Sequence, residues 1–258
     1  MFDYSPSLIA AVVATFFAAG VVKGVTGMGL PTVAMGVLGS LLSPLIAAAL
    51  LLVPSFVTNV WQLLAGRRFG MLIRRLWTMM LTIIVGTVFG SMLLTGEGTD
   101  LTTVGLGIAL VIYAAYTLLA KPLNVSPRWE PWLSPAIGLV TGLVTGATGV
   151  FVIPAVPYIQ SLSLERDDLV QALGLSFTVS TIALATGLFW HGAAPVGNLL
   201  ISTQAVIPAL LGMAVGQVIR TRISPQLFRR LFLIFLLLLG LEMGLHGLLY
   251  NRVVIQHL

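Results

Sequence analysis

The chain contains no cysteine, and charged residues make up only 8% of its 258 residues. Without cysteine there can be no disulfide framework, thiolate metal site or cysteine nucleophile. A soluble domain carries about a quarter charged residues, so this composition, 58% hydrophobic with a mean hydropathy of +1.05, places the chain in a membrane. Histidines number three, and G-x-x-x-x-G-K-[ST] does not occur, which leaves no nucleotide-binding loop for an ATP-driven pump. The net charge of +5 comes mainly from two short basic clusters, an orientation signal for membrane insertion and not a nucleic-acid patch. The start, MFDYSPS, lacks the positive n-region of a cleaved signal peptide, so the first hydrophobic segment is expected to stay. No metal or cofactor site is expected.

Charge-free runs cover 4–22, 24–66, 76–96, 101–120, 133–164 and 169–219. A spanning helix needs about 20 apolar residues, so the longest runs hold several spans each. Read from breaker to breaker, the segments fall near 7–22, 28–42, 45–65, 72–95, 101–120, 133–145, 149–163, 168–190, 197–219 and 226–250. The pairs flanking KGVTGMG (23–29) and TGATG (145–149) are short for spanning and read as broken helices. Trp61, Trp77, Trp129, Trp132 and Trp190 lie near predicted helix ends, where an interfacial belt explains them.

The two breaks belong to an internal repeat. Gly20, Gly24 and Gly29 match Gly138, Gly142 and Gly149; Ser55-Phe56 matches Ser176-Phe177; Gly86 and Gly90 match Gly212 and Gly216, with an offset drifting from 118 to 126. Chance recurrence is the alternative in a chain with 27 glycines. Arg67, Arg68, Arg74 and Arg75 follow the first long helix of one half; Arg220, Arg222, Arg229 and Arg230 follow the second long helix of the other. If both clusters are cytoplasmic, each half crosses the membrane an odd number of times and the halves are inverted. Glu97, Asp100, the turn at His191 and both termini then lie outside, and the turn at Glu165 to Asp168 inside. The expectation is one all-α integral membrane domain over 1–258. It comprises two inverted repeats, 7–120 and 133–250, each a broken or re-entrant helix pair followed by three long transmembrane helices.

A broken helix exposes backbone groups that lipid cannot satisfy, so it must be buried in protein or line a wet cavity. In inverted-repeat transporters half-helix N-termini face anionic substrates near the midplane. Here the half-helices are expected to begin near Met28 and Gly149. The candidate substrate contacts are Lys23, Thr26, Gly27, Gly29, Asn59, Thr145, Gly146, Thr148, Gly149, Ser176 and Ser180, with Thr141 also near a break. Close helix packing by small residues is the alternative for the glycines and threonines. Lys23 is the one basic residue between two long charge-free runs; it is either functional or snorkels to the headgroups. By alignment its counterpart is Thr141. Asn59 aligns with Ser180, and amides and hydroxyls bind oxyanions without adding charge; interhelical hydrogen bonds are the alternative for these and for Gln62 and Gln171. Gln204 and Gln217 fit either role. Glu242 and His246, at i and i+4 on the last helix, are candidates for proton coupling, or else reach the external interface.

The stretches KGVTGMGLP (23–31), TGLVTGATGVFVIPAV (141–156) and ALGLSFTVST (172–181) resemble the sulfite exporter TauE/SafE family of anion transporters over about 8–250. The resemblance implies a multi-pass permease of the bacterial inner membrane for sulfite, organosulfonates or short carboxylates, often an exporter and often proton-coupled. Sulfur specificity comes from the resemblance alone.

The expected function is secondary transport of a small anion. A passive anion channel is the alternative. An intramembrane hydrolase lacks support, because Ser176 sits in GLSF and not in G-x-S-x-G. The expected partners are the anion and the bilayer, with no nucleic acid, and the chain is a monomer or a homodimer. The inverted arrangement makes a direct prediction: Gly70→Cys and Ser224→Cys, introduced singly into the cysteine-free chain, label with an impermeant maleimide from the same face. Labelling from opposite faces removes the model.

Overall fold

The computed structural model describes residues 6–96, 99–119, 124–193, 196–222 and 224–255. Among them there are helices and no strands: α1 (Pro6–Thr26), α2 (Leu30–Leu41), α3 (Pro44–Leu64), α4 (Phe69–Thr95), α5 (Thr99–Leu119), α6 (Glu130–Thr148), α7 (Ala155–Gln160), α8 (Arg166–Trp190), α9 (Val196–Gln204), α10 (Val206–Arg220) and α11 (Pro225–Ile255). Six stretches are long and apolar enough to cross a membrane: α1, α3, α4, α8, most of α5, and α9 continuing into α10. Large apolar side chains such as Phe89, Leu93, Ile207 and Leu238 stand exposed on the outer surface, which only a lipid environment accommodates. All five tryptophans are exposed as well.

Contacts between helices follow a regular scheme. α3 and α8 run antiparallel, since Gln62 and Leu63 meet Val170 and Gln171 while Leu52 and Phe56 meet Thr181 to Phe189. α5 and α11 are also antiparallel, with Leu106 and Met243 near Gly39 and Leu110 near Gly240. By contrast α1 runs parallel to α10, and α4 parallel to α6. These two parallel pairs are built from small residues. A Cβ at Gly24 would lie 2.3 Å from Met213 O and 2.9 Å from Gly216 Cα, and one at Gly146 would lie 2.3 Å from Thr87 O and 2.5 Å from Ser91 N. Backbones this close exclude any side chain, and their dispersion contacts drive helix association where lipid removes the hydrophobic incentive.

The contacts at the two breaks are alike one helical turn away from the match read off the glycines. GVVKGVTG (20–27) superposes on GLVTGATG (142–149): Gly24 packs on Gly216 as Gly146 packs on Gly90. Both segments also end alike. Gly27 (φ 79°) and Gly149 (φ 69°) take the left-handed conformation, their N–H groups donating to Lys23 O and Thr145 O at 2.7 Å. Thr26 Oγ1 and Thr148 Oγ1 each donate to the carbonyl four residues back and accept the N–H two residues on. In these contacts Lys23 has the place at the first break that Thr145 has at the second, each carbonyl accepting from the left-handed glycine.

The lengths of the broken segments also differ from expectation. α1 and α6 have 21 and 19 residues, because a glycine that another helix needs close at hand costs the helix little; the short members are α2 and α7, with 12 and 6 residues. α2 starts at Leu30, near the expected Met28, but α7 starts only at Ala155, after Pro154, and not at Gly149.

One end of the molecule collects most of the arginines. Arg68 at the α3–α4 turn pairs with Asp168 (3.2 Å) and Glu165 (3.6 Å) at the start of α8. Arg75 on α4 binds both carboxylate oxygens of Glu130 at the start of α6, and its guanidinium also donates to Leu162 O at 3.1 Å. The start of α6 and the chain just after α7 thus both lie at this end. Glu97 and the side chain of Asp100 lie outside the described residues.

A methyl group at a helix crossing should be costly and one at an open glycine harmless. Gly146→Ala is expected to destabilise the protein by about 1–3 kcal/mol through overpacking, whereas Gly70→Ala, with nothing within 4 Å of the added Cβ, is expected to be neutral or mildly stabilising. Thermal unfolding in detergent reads the difference, and equal midpoints would show that the crossing can relax.

Candidate functional site: a buried lysine at the head of a polar cavity

Lys23 sits one turn before the end of α1 and is 3% exposed, so it does not snorkel. Its Nζ donates to Asn59 Oδ1 and, at 3.2 Å, to Thr58 Oγ1, both on α3. Those groups pass the bonding on. Thr58 Oγ1 donates to Pro54 O at 2.8 Å; Asn59 Nδ2 donates to Thr181 Oγ1 of α8 at 3.4 Å, and Thr181 Oγ1 donates to Phe177 O at 2.7 Å. Every donor in this network points away from Lys23, the polarity set when an ammonium, which has donors only, begins it.

Pro54 is one turn upstream of Thr58. Having no N–H, it leaves Leu50 O without its helical donor. Ser202 Oγ of α9 fills the gap, donating to Leu50 O at 2.7 Å and accepting the Val53 N–H at 3.1 Å. α9 thereby pins α3 at the turn that presents Thr58 and Asn59.

A cavity of about 280 Å³ leads from Lys23 toward the arginine end, lined by Lys23, Gly27, Trp61, Gln62, Gln217 and Arg220 among others. Its lining includes two cations and no acid. No carboxylate pairs with Lys23 among the described residues. An unpaired ammonium away from water carries a penalty of several kcal/mol, which an incoming anion offsets. The arrangement is thus chemically suited to anion binding. Among the described residues no group of acidic or histidine side chains is placed to hold a metal ion.

The candidate residues are not all gathered here. Lys23 and Asn59 meet, and Gly27 lines the cavity with open space beside its Cα. Thr26 caps the end of α1, and Gly29 faces Val22 and Phe232. The second break is closed over by protein: a Cβ at Gly149 would lie 2.7 Å from Met35 Sδ, Thr145 Oγ1 donates to Val150 O at 3.3 Å, and Thr148 caps its own helix. Gly146 serves the α4–α6 crossing. Ser176 and Ser180 are fully buried, one turn apart on α8, without a hydrogen-bond partner among the described residues. Glu242 is exposed on α11 and forms no described ion pair with Lys23; the side chain of His246 lies outside the described residues. Gln171 has a structural task, donating to Leu63 O and accepting the Arg68 N–H. Sequence reasoning missed Thr58 and Thr181, although each is the immediate neighbour of a candidate, Asn59 and Ser180.

If Asn59 chiefly satisfies Lys23, Asn59→Leu should destabilise the protein by about 1.5–3 kcal/mol, the worth of a hydrogen bond to a charged group. The double variant Lys23→Met, Asn59→Leu removes both partners and should recover most of that loss. Denaturation midpoints in detergent compare the two, and a double variant no more stable than the single one counts against the pairing.

Neither the curated proteins nor the solved structures offer a match to this chain. The family comparison does: the description "Sulfite exporter TauE/SafE" matches residues 12–243, nearly the whole chain. That match, the membrane-spanning helices and the acid-free cationic cavity agree with one another. The chain belongs to the sulfite exporter TauE/SafE family, a family of membrane anion exporters.

Proposed function

We propose that this protein is a secondary transporter in which a small anion, such as sulfite, an organosulfonate or a short carboxylate, binds beside Lys23 within reach of Thr58 and Asn59. The observation that carries the reading is a buried lysine whose protein partners are neutral, at the head of an acid-free cavity. Two inverted repeats in a single domain provide the framework. The antiparallel course of α3 against α8 and of α5 against α11, set beside the parallel pairs α1 with α10 and α6 with α4, supports a two-fold axis in the membrane plane. With the arginine end cytoplasmic, the cavity opens to the cell interior, the side from which an exporter loads.

Gly27 and Thr26 are assigned to the substrate side of the first break. Gly149, Thr145 and Thr148, closed in by Met35, are assigned to its counterpart, which opens when the repeats exchange conformation. Ser176 and Ser180 supply hydroxyl donors in that second state. Proton coupling through Glu242 or His246 would act from the surface of α11, since Glu242 does not compete for Lys23 in this state.

Replacing Lys23 by Gln keeps a donor and removes the charge. Loss of one charge-assisted bond, about 1.5–3 kcal/mol, corresponds to roughly a ten- to hundredfold loss of affinity. Calorimetry with sulfite, simple sulfonates and short carboxylates on the parent and on Lys23→Gln measures it. Parent-like affinity in the variant sinks the proposal. Flux in proteoliposomes separates carrier from channel: accumulation against a gradient when a proton gradient is imposed argues carrier, and purely downhill conductive flux argues channel.

A further inference from the structure

The cavity contains a second cation that binding at Lys23 does not employ. Arg220 lies in the last turn of α10 and lines the cavity with Trp61 and Gln217. Gly216 packs on Gly24, and α10 runs parallel to α1, so Arg220 stands about five residues, roughly 7–8 Å along the axis, closer to the arginine end than Lys23 does. Arg68 and Arg75 at this end are each paired with acids; Arg220 is half-buried and makes no ion pair among the described residues. Arg222, two residues on, is exposed and does not line the cavity. The cavity, about 280 Å³ where a water takes roughly 30 Å³, is large against a single small oxyanion. Because the two cations line this cavity at different depths, an oxyanion entering from the arginine end meets Arg220 before Lys23.

We propose that Arg220, flanked by Gln217 and Trp61, is a separate capture site for oxyanions at the cavity mouth, from which the anion passes deeper to Lys23. The inference rests on the reading of Lys23 as the inner site. Capture at the mouth concentrates a dilute anion by its field, an effect that weakens with salt, while Lys23 sets the affinity of the deeper site.

Trp61 reports on the mouth without any need to know the substrate. In a protein whose other four tryptophans are changed to Phe, placed in phosphatidylcholine nanodiscs, iodide probes local positive potential and acrylamide probes plain access. Arg220→Gln is expected to lower iodide quenching of Trp61 at least twofold with acrylamide quenching unchanged, while Arg222→Gln behaves like the parent. Equal iodide quenching in the Arg220→Gln and Arg222→Gln proteins overturns the proposal. A lipid phosphate offers the same chemistry as a free oxyanion, so the parent is repeated with phosphatidylglycerol added. Suppression of quenching that disappears in Arg220→Gln assigns the site to a headgroup and also overturns it.

Should the four-fold Phe background not fold, the natural protein gives a second readout by sulfite uptake into proteoliposomes. Arg220→Gln is expected to raise KM at least threefold with kcat retained, the gap narrowing as ionic strength rises; a KM matching that of Arg222→Gln overturns the proposal. Lys23→Gln is the separating control. If it binds sulfite like the parent while Arg220→Gln loses iodide quenching, the inner-site reading fails and the mouth stands as an anion site on its own.

Discussion

Hydrocarbon offers no hydrogen bonds, so each polar group carried into the membrane must find its partner inside the protein. Much of this structure follows from meeting that demand. Thr26 and Thr148 close the ends of the two interrupted helices, taking N–H groups of Met28 and Val150 that would otherwise be unpaired inside the protein. Ser202 reaches across from α9 to replace the hydrogen bond that Pro54 deletes in α3. Gln171 knots the end of α3 to the start of α8. At Lys23 the same demand is met only in part: Asn59 and Thr58 accept two of the three N–H groups of the ammonium, and no acid neutralises its charge among the described residues. A cation with two of its three N–H groups accepted by neutral partners and no acid beside it is suited to receive an anion.

The membrane class, the approximate segments and both breaks were legible because long apolar runs and glycine clusters are coarse signals. The match between the two breaks was not. Gly138, Gly142 and Gly146 recur every four residues, the spacing of one helix face, so a match on glycines alone slides by a turn without penalty. The packing of Gly24 on Gly216 and of Gly146 on Gly90 removes the ambiguity, since each glycine has a particular backbone opposite it. The late start of α7 escaped for a different reason: an extended segment buried in protein is as apolar as a helix, and Val150 to Ile153 carries no pattern to distinguish them. Lys23 stood out in the sequence by its isolation, but Thr181, which joins its network by accepting from Asn59, lies more than a hundred residues away on another helix, a distance only the fold can close.

The contacts at the two breaks sharpen the difference between the halves. Lys23 and Thr145 occupy corresponding turns, each with its carbonyl accepting the N–H of a left-handed glycine, yet one side chain is a cation and the other a neutral hydroxyl bonded back to Val150 O. The backbone is repeated and the electrostatics are not. A carrier with equal charges at both breaks would hold its anion with equal strength in both states and would not favour release on either side. With charge at one break only, the proposed site at Lys23 would bind an anion more tightly than a site built on the hydroxyls and backbone of the second break. Because a conformational equilibrium shifts only by the difference in affinity between its states, a carrier of the kind proposed above would hold its anion more tightly in the state that presents Lys23, while the direction of net flux would follow the gradients across the membrane.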